Sequence, residues 1–235
     1  MATTKSYLFA VLITAYLTAS NAARSCGNYS NLCSGNRGKH TLCLYPNPAP
    51  ASTCVSVLSA GLTQAEKDEI VDKHNELRQR VASGQEKRGS PGPQPAATNM
   101  QNVSWDDELA EIAQRWANQC EFGHDTCRDV ARFSVGQNVG ITMTTGTQTT
   151  KPSDIVVSWY NEVEMVDRNL VTRFTNVNTN IGAIGHYTQL VWANTNKIGC
   201  GKVVFKKDGW TSYYLVCNYG PAGNVIGEPI YQVRN

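Results

Sequence analysis

The sequence predicts an α+β domain in which helices pack on an antiparallel sheet. Three observations lead there. Helical periods come first along the chain, a β-hairpin pattern closes it, and eight cysteines are available to staple the two. At 235 residues there is room for one full-sized domain with an appendage. A hydrophobic content of 41% and a charged content of 17% are those of an ordinary globular protein. Lys and Arg together exceed Asp and Glu by two, 21 against 19, with no run of like charge. That balance gives no sign of a nucleic-acid partner or of an electrostatic membrane binder.

The first residues read as a secretory signal peptide. Lys5 precedes an apolar run from Tyr7 to Leu17, and small residues stand at Ser20 and Ala22, so cleavage is expected after Ala22. The run is too short to cross a bilayer, which takes about 20 apolar residues, and no later segment spans either. The mature chain is expected to be secreted and extracellular, without an integral membrane segment. Cys26, Cys33, Cys43, Cys54, Cys120, Cys127, Cys200 and Cys217 then meet an oxidising compartment and are expected to form four disulfides. Asn28 and Asn102 head Asn-x-Ser triplets, candidate glycosylation sites on the surface.

Residues 23–60 hold four of the cysteines together with Pro46, Pro48 and Pro50. They show no helical period, so a loop-rich segment pinned to its neighbour is expected. The first long helix starts at a capping box, Thr63 with Glu66, and stops near Gly84. Ile70, His74, Leu77 and Val81 fall on one stripe of a 3.6-residue period, which turns His74 toward the core. A second helix follows in SWDDELAEIAQRWANQC, with Ser104 as expected cap, acids in its first turn, and Leu109, Ile112, Trp116 and Cys120 as its buried face. TMTTGTQTTKPS reads as a flexible connector. PSDIVVSWYNEVEMV reads as a third helix with Pro152 in its first turn, where Ile155, Trp159, Glu162 and Val166 share a face.

The remaining pattern is β, and GHYTQLVWANTNKIGCG is read with it. Asp208-Gly209 is a two-residue hairpin signal. With that pair as the turn, residues facing each other have numbers summing to 417, and Cys200 faces Cys217. Counting outward from the turn, the pair falls on a non-hydrogen-bonded position, where Cβ atoms come closest, about 4.5 Å apart. A disulfide fits there, with Gly199 and Gly201 leaving room for the crossing.

His74, Glu162 and His186 are polar residues on faces expected to be buried. Each has a plain reading as a satisfied core residue. Two imidazoles and a carboxylate that converged would suit zinc, or would make a histidine base oriented by a carboxylate. No nucleophile accompanies them. The cysteines are expected to be oxidised, and a Gly-x-Ser-x-Gly elbow, a His-Glu-x-x-His pair, a Walker loop and a dinucleotide fingerprint are all missing from the sequence. His124, between two cysteines, reads as structural or solvent-exposed, and His40 carries no signal. Arg37-Gly38-Lys39 reads as an exposed polar loop.

GHYTQLVWANTNKIGCG and YYLVCNYGPAGNVIGEPIY resemble the two signature motifs of the CAP superfamily: cysteine-rich secretory proteins, antigen 5 and pathogenesis-related 1. KHNELRQRVASG, GPQPAATNM, RWANQCEFGHDTCRDV and VGQNVG further resemble the antigen 5 branch, the venom allergens of stinging Hymenoptera such as ants. The resemblance runs from Cys26 to Tyr231. It implies a three-layer α-β-α sandwich with a central antiparallel sheet, and it divides the chain into the signal peptide 1–22, a cysteine-rich extension 23–60, the family domain 61–219 and its C-terminal extension 220–235. It also implies the pairs Cys26–Cys43, Cys33–Cys127, Cys54–Cys120 and Cys200–Cys217. Members carry a cleft with two histidines and two glutamates, placed by the resemblance at His74, His186, Glu162 and position 137. Here position 137 is Gln137, which brings neither charge nor a general base, so that a zinc ion in the cleft would rest on His74, Glu162 and His186.

The function implied is that of a secreted venom protein and allergen recognised by host IgE. It is expected to be monomeric and non-enzymatic, with a small hydrophobic ligand such as a lipid or sterol as its candidate cargo. Two alternatives compete: a metal-dependent or histidine-based hydrolase using the His74, Glu162 and His186 cleft, and an interaction protein that meets a receptor through its surface loops.

Overall fold

The computed structural model describes residues 26–33, 38–175 and 184–234. The signal peptide and Arg37 lie outside the described residues. In chain order the elements are a single helical turn α1 (Thr41–Leu44), β1 (Val57–Ala60), α2 (Gln64–Ala82), β2 (Ser104–Trp105), α3 (Asp107–Ala117), β3 (Gly136–Thr144), α4 (Pro152–Asn161), α5 (Gly185–Leu190), β4 (Lys197–Lys207) and β5 (Trp210–Gly220). The sheet runs β1-β4-β5-β3, all antiparallel, and the two-residue β2 adds to β4 in parallel.

The β4–β5 ladder follows from its turn. Asp208 and Gly209 both take positive φ, 51° and 81°, the conformation a tight hairpin turn requires. Lys207 therefore faces Trp210, and the register carries on to Cys200 facing Cys217 and Lys197 facing Gly220. Side chains alternate across the sheet. Val204, Tyr213, Leu215, Cys217 and Tyr219 enter one core with α2, α4 and α5. Val203, Phe205, Tyr214 and Val216 enter another with Ala113 and Trp116 of α3. These are the three layers of an α-β-α sandwich.

The glycines beside Cys200 have a different purpose from the one the sequence suggested. Cys200 packs on the α2 side, whereas a Cβ on Gly199 would come within 2.2 Å of the Ala110 amide nitrogen and one on Gly201 within 2.2 Å of the Gln114 Cα. The glycines let the backbone of α3 lie directly on β4.

The four disulfides are Cys26–Cys43, Cys33–Cys127, Cys54–Cys120 and Cys200–Cys217. Two of them tie the N-terminal segment to the loop that follows α3. That segment is less irregular than expected. Residues 41–44 form a helical turn whose N-cap is His40, 1% exposed, and residues 57–60 pair with β4.

Four expectations about elements are corrected. The cap of α3 is Asp106, which accepts from the Glu108 and Leu109 amides, because Ser104 is occupied as a strand residue beside Lys197. Thr142, Met143 and Thr144 belong to β3, hydrogen-bonded to β5, so only the residues after them connect. Residues 185–190 are helical, and extended structure starts at Lys197. The third helix stops at Asn161, and Glu162–Met165 form a 3₁₀ turn.

Helix α2 behaves as its sequence dictates. The capping box at Thr63 and Glu66 is closed in both directions, and Ile70, His74, Leu77 and Val81 are all buried. Arg78 is buried with them, fully and without an acidic partner among the described residues. Its guanidinium donates to the carbonyls of Gln101, Leu190, Trp192, Ala193 and Thr195, and so fixes the chain that leaves α5.

His74 is sealed in the same core. Its Nδ1 donates to the Ile70 carbonyl at 2.7 Å, and its Nε2 accepts from the Tyr219 hydroxyl at 2.9 Å. Burial pushes its pKa down to about 4 from 6.5. The unfolded chain therefore takes up a proton near pH 6.5 that the folded chain refuses until about pH 4. Stability from this group is full above pH 6.5 and falls as the pH drops through that interval. Urea unfolding at pH 7.5 and 4.5 is expected to show the native chain losing about 2–3 kcal/mol more than a His74→Gln variant. Equal losses would place the acid sensitivity elsewhere.

Candidate functional site

The start of β3 lies on the free edge of the sheet, and consecutive residues there point to opposite faces. Gln137 turns toward the α3 side. Its Nε2 donates to Asp125 Oδ1 and to Asn218 Oδ1, both at 3.0 Å. Asn218 donates its own amide to the Leu109 carbonyl at 3.2 Å, which leaves its oxygen for Gln137. With both donors used, the Gln137 oxygen accepts from His124 Nδ1 at 2.9 Å. Asp125 is held in turn by Thr41 and Arg128, so the N-terminal segment reaches this network through Thr41.

Asn138 turns the other way. Its amide donates to the His186 carbonyl at 3.0 Å and to the Tyr219 hydroxyl at 3.3 Å. The 3₁₀ turn after α4 delivers Glu162, and the start of α5 delivers His186. Glu162 Oε2 accepts the backbone N–H groups of His186 and Tyr187 at 2.9 and 3.1 Å, and Oε1 accepts from His186 Nδ1 at 2.6 Å. The carboxylate therefore caps α5 with its charge at the positive end of the helix while it orients the ring. Trp159 stacks on that ring, centroids 5.9 Å apart, and is fixed by its indole N–H on the Val139 carbonyl at 3.1 Å.

The two imidazoles are prepared alike. An amide oxygen and a carboxylate can only accept, so His124 and His186 each carry the proton on Nδ1, and neither Nε2 has a hydrogen-bond partner among the described residues. Burial holds the His124 ring below its ordinary pKa, and the nearby Arg128 charge pushes the same way, against the hydrogen bond that the ring donates to Gln137 and the charge of Asp125. Such rings can accept a hydrogen bond or a proton at Nε2, and His186 has the carboxylate-oriented geometry of a general base. What nucleophilic catalysis adds is a hydroxyl or thiol within reach of that base. Among the described residues none bonds to either Nε2, and there is no free cysteine.

The residues do not fit a resident zinc ion. His74 has both nitrogens engaged, Glu162 has both oxygens engaged, and no group of three His, Cys, Asp or Glu side chains among the described residues could hold a metal. Catalytic zinc takes three protein ligands, and the two free Nε2 atoms fall short of that.

Of the residues singled out in the sequence, Glu162 and His186 bond each other, and Gln137, on the other face of β3, bonds His124. His74 does not join them. It touches Tyr219, which bonds Asn138, and stays one layer behind the site. The histidine that bonds Gln137 is His124, which the sequence alone reads as structural or solvent-exposed. Its signal was available in its position between Cys120 and Cys127, a loop short enough to be held rigid by two bridges. Asn28 and Asn102 are exposed.

Among the described residues no helix is long and apolar enough to cross a membrane. The model of the cysteine-rich secretory protein family, CAP, matches residues 71–219. Venom allergen 3 of Solenopsis invicta is 53% identical over 222 residues, which cover 93% of this chain and 95% of the relative. Venom allergen 5 of Vespula maculifrons is 49% identical over 207 residues, 88% of this chain and 89% of the relative. Among solved structures, a crystal structure of NaASP2 with Zn2+ aligns at a TM-score of 0.63 and 32% identity, over 74% of this chain and 89% of that one. BmVAL-1 aligns at 0.64 and 29% identity, over 74% and 85%. By the family model, by relatives near half identity and by the layered fold, this chain belongs to the cysteine-rich secretory protein family.

Proposed function

We propose that the chain is a secreted venom protein of the antigen 5 type, an allergen that acts by binding and not by catalysis. The observation that carries the reading is the identity of 53% and 49% to venom allergens 3 and 5 over most of the chain. Four disulfides support it, since each is worth about 2–4 kcal/mol and a bridged fold survives outside the cell, where antibodies meet it. The site supports the binding half of the reading. Glu162 is consumed in holding α5 and His186, and position 137 is a neutral amide where the family resemblance leads one to expect an acid. The cargo belongs to the same reading: a small hydrophobic molecule, a lipid or sterol, taken up outside the cell.

Expression in insect cells tests the first part. The protein is expected in the medium with Ala23 as its first residue, bound by IgE from sera of venom-allergic donors, and bound far less after reduction and alkylation. A protein retained in the cell, or one that such IgE ignores, contradicts the reading. Titration of delipidated protein with palmitate and cholesterol tests the cargo, with submillimolar binding expected and none overturning it.

The non-enzymatic reading has its own test. Turnover of ester and peptide substrates by the native protein is expected to differ less than twofold from that of a His124→Ala/His186→Ala variant. Activity that the double variant loses would instead make the oriented imidazoles catalytic.

Gln137→Glu would put a carboxylate against His124 and beside Asp125. An adjacent negative charge favours the imidazolium, so the midpoint of the His124 ring, followed by NMR, is expected to rise by about one pH unit or more. An unchanged midpoint would mean that residue 137 does not touch the ring.

A further inference from the structure

Nine large hydrophobic side chains remain exposed among the described residues, and five of them, Val55, Val57, Leu58, Met143 and Trp210, gather at the hairpin end of the sheet. Register explains the clustering. Val57 faces Phe205, Lys207 faces Trp210 and Met143 faces Ser212, so Val57, Lys207, Trp210 and Met143 emerge on the same side of the sheet. The backbone of α3 crosses β4 at Gly199 and Gly201, and the core beneath it still covers Phe205 and Ser212 between Val57 and Met143, so the exposed groups are Val57 and Met143 at the two sheet edges and Trp210 beside the turn. Leu58 turns to the other side, where it lines a cleft of about 570 Å³ with Val204, Lys206 and Tyr213.

The charge of this end is as specific as its apolarity. Lys206 and Lys207 are exposed and have no ion pair among the described residues, whereas Lys202 is engaged by Glu66. Asp208 in the turn offsets one of the two free charges. Exposed indole, thioether and aliphatic groups beside unpaired ammonium groups match the region where lipid tails meet anionic headgroups. They fit a second copy of this chain less well, since a symmetric contact would set the lysines of one copy against those of the other.

We propose that the hairpin end is a membrane-docking surface. Trp210, Met143, Val57 and Leu58 enter the headgroup layer of an anionic bilayer, and Lys206 and Lys207 meet lipid phosphates. Attachment of this kind is reversible, since it rests on a small apolar area and a few charges. Met143 stands six residues along β3 from Gln137, about 20 Å at strand spacing, so the docked protein holds its polar site away from the bilayer. This inference does not depend on the proposed function, because none of these residues belongs to the site at Gln137.

Co-sedimentation with large unilamellar vesicles tests it, using phosphatidylcholine alone and phosphatidylcholine with a quarter phosphatidylserine. The native protein is expected to sediment with the anionic vesicles and several-fold less with the neutral ones. Lys206→Glu/Lys207→Glu is expected to weaken anionic binding about tenfold or more, and Trp210→Ala to weaken binding to both kinds. All these positions are exposed, and circular dichroism with a melting curve confirms that each variant folds as the native chain does. Native protein that sediments with neither vesicle, or variants that bind as well as it does, would overturn the proposal. So would a dimer, seen by analytical ultracentrifugation, that Trp210→Glu dissolves while vesicle binding is absent.

Discussion

The pairing of β4 with β5 about the Asp208-Gly209 turn is the constraint on which the remaining structure rests. Because side chains alternate along each strand, the turn decides which residues of β5 meet α3 and which meet α2. Cys217 lands opposite Cys200. Asn218 is sent to the α3 side, where it fixes Gln137. Tyr219 is sent to the other side, where its hydroxyl meets both His74 and Asn138. A register slip of one residue would exchange all of these at once, and the site would lose its floor on both faces of β3.

The polar groups of the site satisfy one another almost completely, and the geometry follows from that. Gln137 spends its two donors on Asp125 and Asn218, and its oxygen holds His124. Glu162 spends its oxygens on the first amides of α5 and on His186. Buried polar groups that are fully paired are rigid, so the two rings present their Nε2 atoms in fixed positions. The N-terminal segment takes part in this arrangement. It is bridged to the loop that carries His124, and Thr41 bonds Asp125 from behind.

What could be read from the sequence was what local chemistry decides. The capping box at Thr63, the buried stripe of α2 and the hairpin register each depend on residues close in sequence, and each is found as the pattern indicated. Periodicity also placed His74 in the core, but it could not say what the ring would meet there. The meeting partner is Tyr219, 145 positions away. His124 stood visibly between two cysteines, but what it meets was hidden for the matching reason: its place is set by bridges that cross 94 and 66 residues and by the return of β3 beneath it. The segment starting at Gly185 reads with the β pattern that follows it, yet the Glu162 carboxylate caps it as a helix from another element. Arg78 lay next to the apolar stripe and gave no hint of burial, since its five acceptors are carbonyls that no side-chain pattern records.

The central claim is that His74 is a neutral core residue while His124 and His186 form the site, each with its proton on Nδ1. Long-range proton–nitrogen NMR of the imidazole rings between pH 8 and pH 5 reads this directly. The account predicts that the His74 ring stays neutral and Nδ1-protonated across the whole range, since its pKa is held at about 4, and that the neutral rings of His124 and His186 show the same tautomer. A His74 ring that titrates near pH 6.5, the value of an exposed histidine, or a His124 ring protonated on Nε2, would contradict it.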